Sequence, residues 1–120
     1  MDWKLELIAV PVSDVDRAIA FYRDKAGFNL DQDHTTDSGI RFVQLTPPGS
    51  ACSIALGIVD TPPGSVQGLQ LVVSDIEAAR AELIGRGMDV GEVQHFPWGD
   101  FIYFKDPDGN GWAVQKLPPR

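Results

Sequence analysis

One cysteine and two histidines are all that 120 residues offer to soft-metal or redox chemistry. Cys52 alone cannot form an intrachain disulfide or a thiolate metal cluster, and a reducing cytoplasm is the expected setting. Positive charge is scarce as well. Ten Lys and Arg stand against 17 Asp and Glu, a net charge of −7 with no basic cluster, which speaks against nucleic acid and anionic membrane surfaces as partners. Long apolar runs are missing too. The N-terminal stretch LELIAV meets Pro11 within a few residues, and Asp2 and Glu6 occupy the place where a signal peptide carries positive charge. No segment has the length needed to cross a bilayer. What remains, 43% hydrophobic and 22% charged residues, is ordinary for a water-soluble globular chain. We expect a single domain over residues 1–120, large enough to bury a core without staples.

The positive content is a repeat. VPVSDVDRAIAFYRDKAGF from Val10 matches LVVSDIEAARAELIGRGMDV from Leu71, 61 positions later. TPPGSACSIAL from Thr46 matches DPDGNGWAVQK from Asp106, 60 positions later. Two blocks in the same order at nearly one offset indicate duplication of a supersecondary unit, since a chance likeness of two helices would not bring the turns along.

Each unit reads as β-α-β-β-β. An apolar strand (Leu5 to Val12; Leu69 to Val73) runs into Ser13 or Ser74, predicted N-caps with Asp16 or Glu77 three residues on. Val15, Ala18, Ile19, Tyr22 and Ala26 recur at helical spacing in the first unit, as do Ile76, Ala79 and Leu83 in the second. Gly27 and Gly87 stop the helices. Alternating segments follow at Asn29 to Thr35, Ile40 to Thr46 and Cys52 to Val59, then at Asp89 to Phe96, Asp100 to Lys105 and Trp112 to Leu117. Unit 1 covers about 1–59 and unit 2 about 68–120, with DTPPGSVQ, residues 60–67, as an extended linker. A sheet with a helix on one face leaves its other face for a twin or a ligand. The predicted fold is therefore α+β: two tandem βαβββ units whose curved mixed sheets surround a cleft, helices outside.

The stretches VPVSDVDRAIAFYRDKAGF, VVSDIEAARAELIGRG and FKDPDGNGW, taken with the duplication, resemble the vicinal oxygen chelate superfamily, the group of glyoxalases, bleomycin-resistance proteins and extradiol dioxygenases. That resemblance implies a cleft in which enzymes of the group hold a divalent metal through His and Glu on the first and last strands of each unit, where it polarises substrate oxygens. Carried onto this chain, those ligand positions fall on Leu7, Ser53, Gly68 and Ala113. None of the four is His, Glu or Asp, the ligands that hold a divalent cation in the group, so no metal or other cofactor is expected. The resemblance further implies an active-site tyrosine at Tyr103 for the extradiol branch, and pairing of units between chains, hence a homodimer.

Strand parity nominates what lines the cleft instead. In the strand from Leu69, Gln70 faces away from the helix; in that from Asp100, Phe101 and Tyr103 do. In the strand from Ile40 the parity is open, and either Phe42 and Gln44 or Arg41 and Val43 point inward; we place Phe42 and Gln44 in the candidate set. His34 and His95, 61 apart, are either a pseudo-symmetric pair of ligands or acid–base groups, or strand residues with no task. His95 opens the loop HFPWG, which gathers an imidazole, two aromatics, a proline and a glycine, and Trp98 in it is a stacking candidate. Trp3 suits terminal packing or an interface. Asp14, Asp16, Asp75 and Glu77 complement helix dipoles.

The expected ligand-binding set is thus Gln70, His95, Trp98, Phe101, Tyr103, Phe42 and Gln44, with Tyr103 and His95 as the acid–base candidates. The function read from it is a metal-free protein that sequesters a neutral or cationic small molecule in an aromatic, acidic cleft. The alternative is a lyase, isomerase or dioxygenase with an atypical metal site or with acid–base chemistry.

Overall fold

The structure is a computed structural model that describes residues 1–119. Unit 1 runs β1 (Leu7–Val10), α1 (Val15–Ala20), β2 (Asn29–Thr35), β3 (Arg41–Thr46) and β4 (Ser53–Leu56). Unit 2 repeats the plan with β5 (Leu69–Val72), α2 (Ile76–Gly85), β6 (Gln94–Phe96), β7 (Gly99–Lys105) and β8 (Gly111–Lys116). The strands form two four-stranded mixed sheets, ordered β1-β4-β3-β2 and β5-β8-β7-β6. In each, the first strand pairs parallel with the last and the other pairings are antiparallel. The crossover helix between the first two strands of each unit covers one face of its sheet.

The helix starts differ from expectation by one residue. Asp14 and Asp75, not Ser13 and Ser74, are the N-caps, each accepting from the backbone N–H three residues on (Arg17 and Ala78, both 3.0 Å). A carboxylate both bonds that N–H and meets the positive end of the helix, which a serine hydroxyl cannot match. Ser13 is thereby freed for a distant partner. Gly27 and Gly87 do adopt positive φ after the helices. After Ala20, the first helix widens into a π-helical turn, Phe21–Lys25, closed by Ala26 N–H on the Phe21 carbonyl. The wider turn lets two successive aromatics, Phe21 and Tyr22, both face the core. Three predicted strands are much shorter than expected: β1 spans only Leu7–Val10, β4 only Ser53–Leu56, and β6 only Gln94–Phe96 because Asp89–Val93 does not pair.

Parity places Val10, Val43, Leu45 and Leu56 on the helix side of sheet 1, all fully buried, and Ile102, Phe104, Trp112 and Val114 on that side of sheet 2. These residues belong to one core that spans both units. Tyr22 and Phe28 of unit 1 meet Trp112 of unit 2 with ring centroids 5.7 and 5.5 Å apart.

A polar clasp joins the units where DPDGN turns β7 into β8. Buried Asp106 accepts four hydrogen bonds: from the Tyr22 hydroxyl (2.7 Å), Asn110 Nδ2 (2.8 Å) and the backbone N–H of Asp108 and Asn110 (3.0 and 2.9 Å). Trp112 Nε1 donates to the Tyr22 oxygen (3.0 Å), and Asn110 Nδ2 also reaches the Pro11 carbonyl (2.8 Å). Ser13 donates to Asp108 through both backbone N–H and hydroxyl (3.1 and 2.5 Å). Burial, and then the bond to Asp106, push the Tyr22 hydroxyl far above the ordinary tyrosine range. The turn therefore fastens the last hairpin of unit 2 to the β1–α1 junction of unit 1. Its counterpart TPPGSACS in unit 1 has no such acidic and amide residues.

Candidate functional site

Facing away from the helices, each sheet presents a second set of side chains. On sheet 1 the register pairs Leu7 with Ser53, Ala9 with Ala55, Gln44 with Ala55, Gln32 with Gln44 and His34 with Phe42, so all of these share one face. The parity of β3 is settled by Val43 and Leu45, which are fully buried on the helix side and leave Phe42 and Gln44 toward the open face. Arg41 points back toward α1, where it bridges Asp16 and Asp33 at 2.9 Å each. The Arg41 guanidinium beside it holds the Asp33 carboxyl below the usual range.

On sheet 2 the open face carries Gly68, Gln70 and Val72 from the β5 side, Ala113 and Gln115 from β8, and Phe101 and Tyr103 from β7. Aromatic rings dominate it. Phe101 and Tyr103 are parallel at 6.0 Å, Phe96 and Trp98 are parallel at 5.1 Å, and Phe96 meets Phe101 edge-on at 5.8 Å. Phe101 is buried beneath its neighbours, whereas Trp98 is 60% and Tyr103 43% exposed. The face is less acidic than expected: Lys105 shares it at the hairpin end of β7, and Asp31 stands at the opposite edge on β2.

Of the seven predicted residues, six therefore lie on open faces: Gln70, Trp98, Phe101 and Tyr103 by sheet 2, Phe42 and Gln44 on sheet 1. His95 does not join them. It pairs with Asp100 in the β6–β7 register, on the helix side, and its Nδ1 lies 2.7 Å from Asp100 Oδ1. There it shares a depression with Ser74, Glu77 and Lys116 at the start of α2. The short β6 explains the miss: with pairing confined to three residues, His95 takes the parity opposite to Phe96, which a loop reading of HFPWG does not reveal. His34 is on the open face, 5.9 Å from the Phe42 ring.

Two hydrogen-bonded chains that sequence reasoning did not find run across these faces. On sheet 1 Gln44 Nε2 reaches Ser53 Oγ (3.2 Å), Ser53 Oγ meets Thr46 Oγ1 (2.7 Å), and Thr46 donates to Asp31. On sheet 2 Gln70 Nε2 donates to Gln115 Oε1 (2.5 Å), and Gln115 Nε2 donates to the Trp98 carbonyl (2.8 Å). Alternation of polar residues on β3, β4, β5 and β8 is the only sequence signal for them.

Residues 4–114 match the Glyoxalase/Bleomycin resistance protein/Dioxygenase superfamily. The chain belongs to that superfamily. Among solved members of similar structure, TnmS3, an antibiotic binding protein from Streptomyces sp. CB03234, is 36% identical with a TM-score of 0.87 and covers 98% of both chains. A glyoxalase/bleomycin resistance protein from the same strain is 38% identical with a TM-score of 0.81, over 93% of this chain and 99% of its own. The uncharacterized protein YetH of Bacillus subtilis is 29% identical over 113 residues, 91% of this chain and 94% of its own.

At the positions where the superfamily's enzymes carry metal ligands, this chain has no His, Asp or Glu. Leu7 and Ser53 are register partners on sheet 1; Ala113 pairs with Gln70 on sheet 2. Gly68 precedes β5 at φ +83°, a backbone that disfavours a side chain such as His. Among the described residues no three His, Cys, Asp or Glu are grouped so as to hold a metal ion. Beside Gly68 and Ala113 lies a cavity of 660 Å³ lined also by Tyr103, Gln67, Asp89 and Lys105. Small residues where the superfamily's enzymes carry ligands leave that space open. No described helix is long and apolar enough to cross a membrane.

Proposed function

We propose that this protein binds and sequesters a planar aromatic small molecule, without metal and without turnover. The observation that carries the reading is the aromatic platform of sheet 2, two parallel ring pairs with Trp98 and Tyr103 exposed, beside a cavity to which Tyr103 itself contributes together with Gly68, Ala113, Phe104 and Trp112. Stacked rings offer a large apolar contact at small entropic cost, and their quadrupoles favour a flat or cationic guest. An antibiotic-binding relative of 36% identity supports binding in place of catalysis.

The acid–base alternative needed Tyr103 and His95 together, and His95 lies on the other side of sheet 2. We further propose that two copies associate in solution. Exposed Trp3, Leu5 and Val72 (89, 66 and 65%) are the apolar surface that a partner would cover.

The test is a titration of the purified protein with a panel of planar aromatic compounds, followed by tryptophan fluorescence, alongside elemental analysis of protein prepared without chelator. Micromolar binding by several planar members and no stoichiometric metal are expected. Failure of the whole panel below millimolar, or one Zn, Ni, Fe, Mn or Co per chain, overturns the reading. Light scattering is expected to give twice the 13.1 kDa chain mass.

A further inference from the structure

The two hydrogen-bonded chains have a direction, and it follows from their ends. An ionised carboxylate only accepts, so the single proton of the Thr46 hydroxyl is committed to Asp31. Thr46 can then only accept from Ser53, and Ser53, its own proton spent, can only accept from Gln44. That fixes the Gln44 amide with its nitrogen toward Ser53 and its carbonyl oxygen away from it. Sheet 2 repeats the logic. The Trp98 carbonyl only accepts, so Gln115 donates to it, turns its own oxygen toward Gln70, and obliges Gln70 to donate.

Both chains thus end in an amide whose carbonyl oxygen is left without a donor among the described residues, on the open face of its sheet. Each amide keeps one spare N–H, but each oxygen has both lone pairs free, and the second Asp31 oxygen adds acceptor capacity with no donor. Tyr103 and His34 can play either part and set no polarity. Lys105, a donor only, stands apart at the end of β7.

We infer that the cleft selects planar aromatic ligands whose edge carries hydrogen-bond donors, amino or hydroxyl groups, over ring-matched ligands that can only accept or carry none. The inference rests on the binding reading above and adds the chemical class of the ligand edge. A donor-bearing edge satisfies the Gln44 and Gln70 oxygens; an acceptor-only edge strips water from those oxygens and can answer only the single spare N–H of each amide.

Three neutral probes, 1-hydroxypyrene, 1-methylpyrene and 1-methoxypyrene, test it by fluorescence titration. Being uncharged, they take equal account of Lys105 and of the net charge of −7. Hydroxyl and methyl are matched in size, and the greater hydrophobicity of methyl works against the expected order. The hydroxyl probe is expected to bind about tenfold tighter than either of the others, the equivalent of about one well-made hydrogen bond. Asp31→Asn permits the sheet 1 chain to reverse, and Gln70→Met combined with Gln115→Met removes both amides of the sheet 2 chain; each is expected to cut the preference to about threefold or less. Equal binding of the three probes overturns the inference and leaves the binding reading standing, as does a preference unchanged in both variants. Binding by none of the three overturns the binding reading and the inference with it.

Discussion

Replacing Tyr22 by Phe tests the clasp between the units with the loss of one atom. The hydroxyl is fully buried, donates to Asp106 at 2.7 Å and accepts from Trp112 Nε1 at 3.0 Å. Its removal leaves Asp106 with three of its four donors and Trp112 Nε1–H with no acceptor in a closed core. A hydrogen bond to a charged group contributes about 1.5–3 kcal/mol, and an orphaned buried donor costs about 1–3 kcal/mol. Since the two share one atom and the pocket relaxes in part, we expect a loss of about 2–4 kcal/mol. That is a large share of the 5–15 kcal/mol typical of a domain, and at about 4 °C per kcal/mol it lowers Tm by roughly 8–16 °C. Urea unfolding measured by fluorescence reads the change as a shift in midpoint at constant m-value. Tyr103→Phe, on the open face, serves as the matched control with a change under about 0.5 kcal/mol. A Tyr22→Phe loss no greater than that of the control refutes the clasp as a source of stability.

Other expectations follow from the same geometry. Because the folded state holds the Tyr22 proton well above the ordinary tyrosine range while the unfolded chain releases it near pH 10, folded protein binds more protons in alkali. Stability is therefore complete below about pH 10 and falls above it by up to about 1.4 kcal/mol per pH unit, a slope that Tyr22→Phe removes in urea melts at pH 9 to 11. Asp75→Ala is expected to cost about 1 kcal/mol and Ser74→Ala less than half of that, the reverse ranking refuting the cap assignment. Trp98→Ala is expected to weaken planar ligands about tenfold or more with Tm nearly unchanged, whereas His95→Ala leaves affinity within twofold.

Much of the fold was legible because periodicity, the glycine stops at Gly27 and Gly87, and the repeat all pointed one way. The offset of about 61 predicted two equal units, and strand parity placed Gln70, Phe101 and Tyr103 on the open face, since a strand with one buried side has one admissible parity. Shorter signals misled. Ser13 and Asp14 are both good caps in adjacent positions, and only the geometry of the turn chose the carboxylate. The three-residue pairing of β6 left too little alternation to say which way His95 points.

Taken alone, the sequence determined the architecture through its repeat, and at the four positions that the superfamily resemblance assigns to metal ligands it carries Leu7, Ser53, Gly68 and Ala113, none of them His, Asp or Glu. It also located FKDPDGNGW as a turn. Tertiary structure decided what that turn is for, because Tyr22 and Asp106 lie 84 positions apart and meet only when the units dock. It decided the direction of the Gln44 and Gln70 amides as well. Hydrogen-bond polarity passes from atom to atom across strands, so it exists only once β2, β3 and β4, or β5, β8 and the Trp98 turn, are side by side.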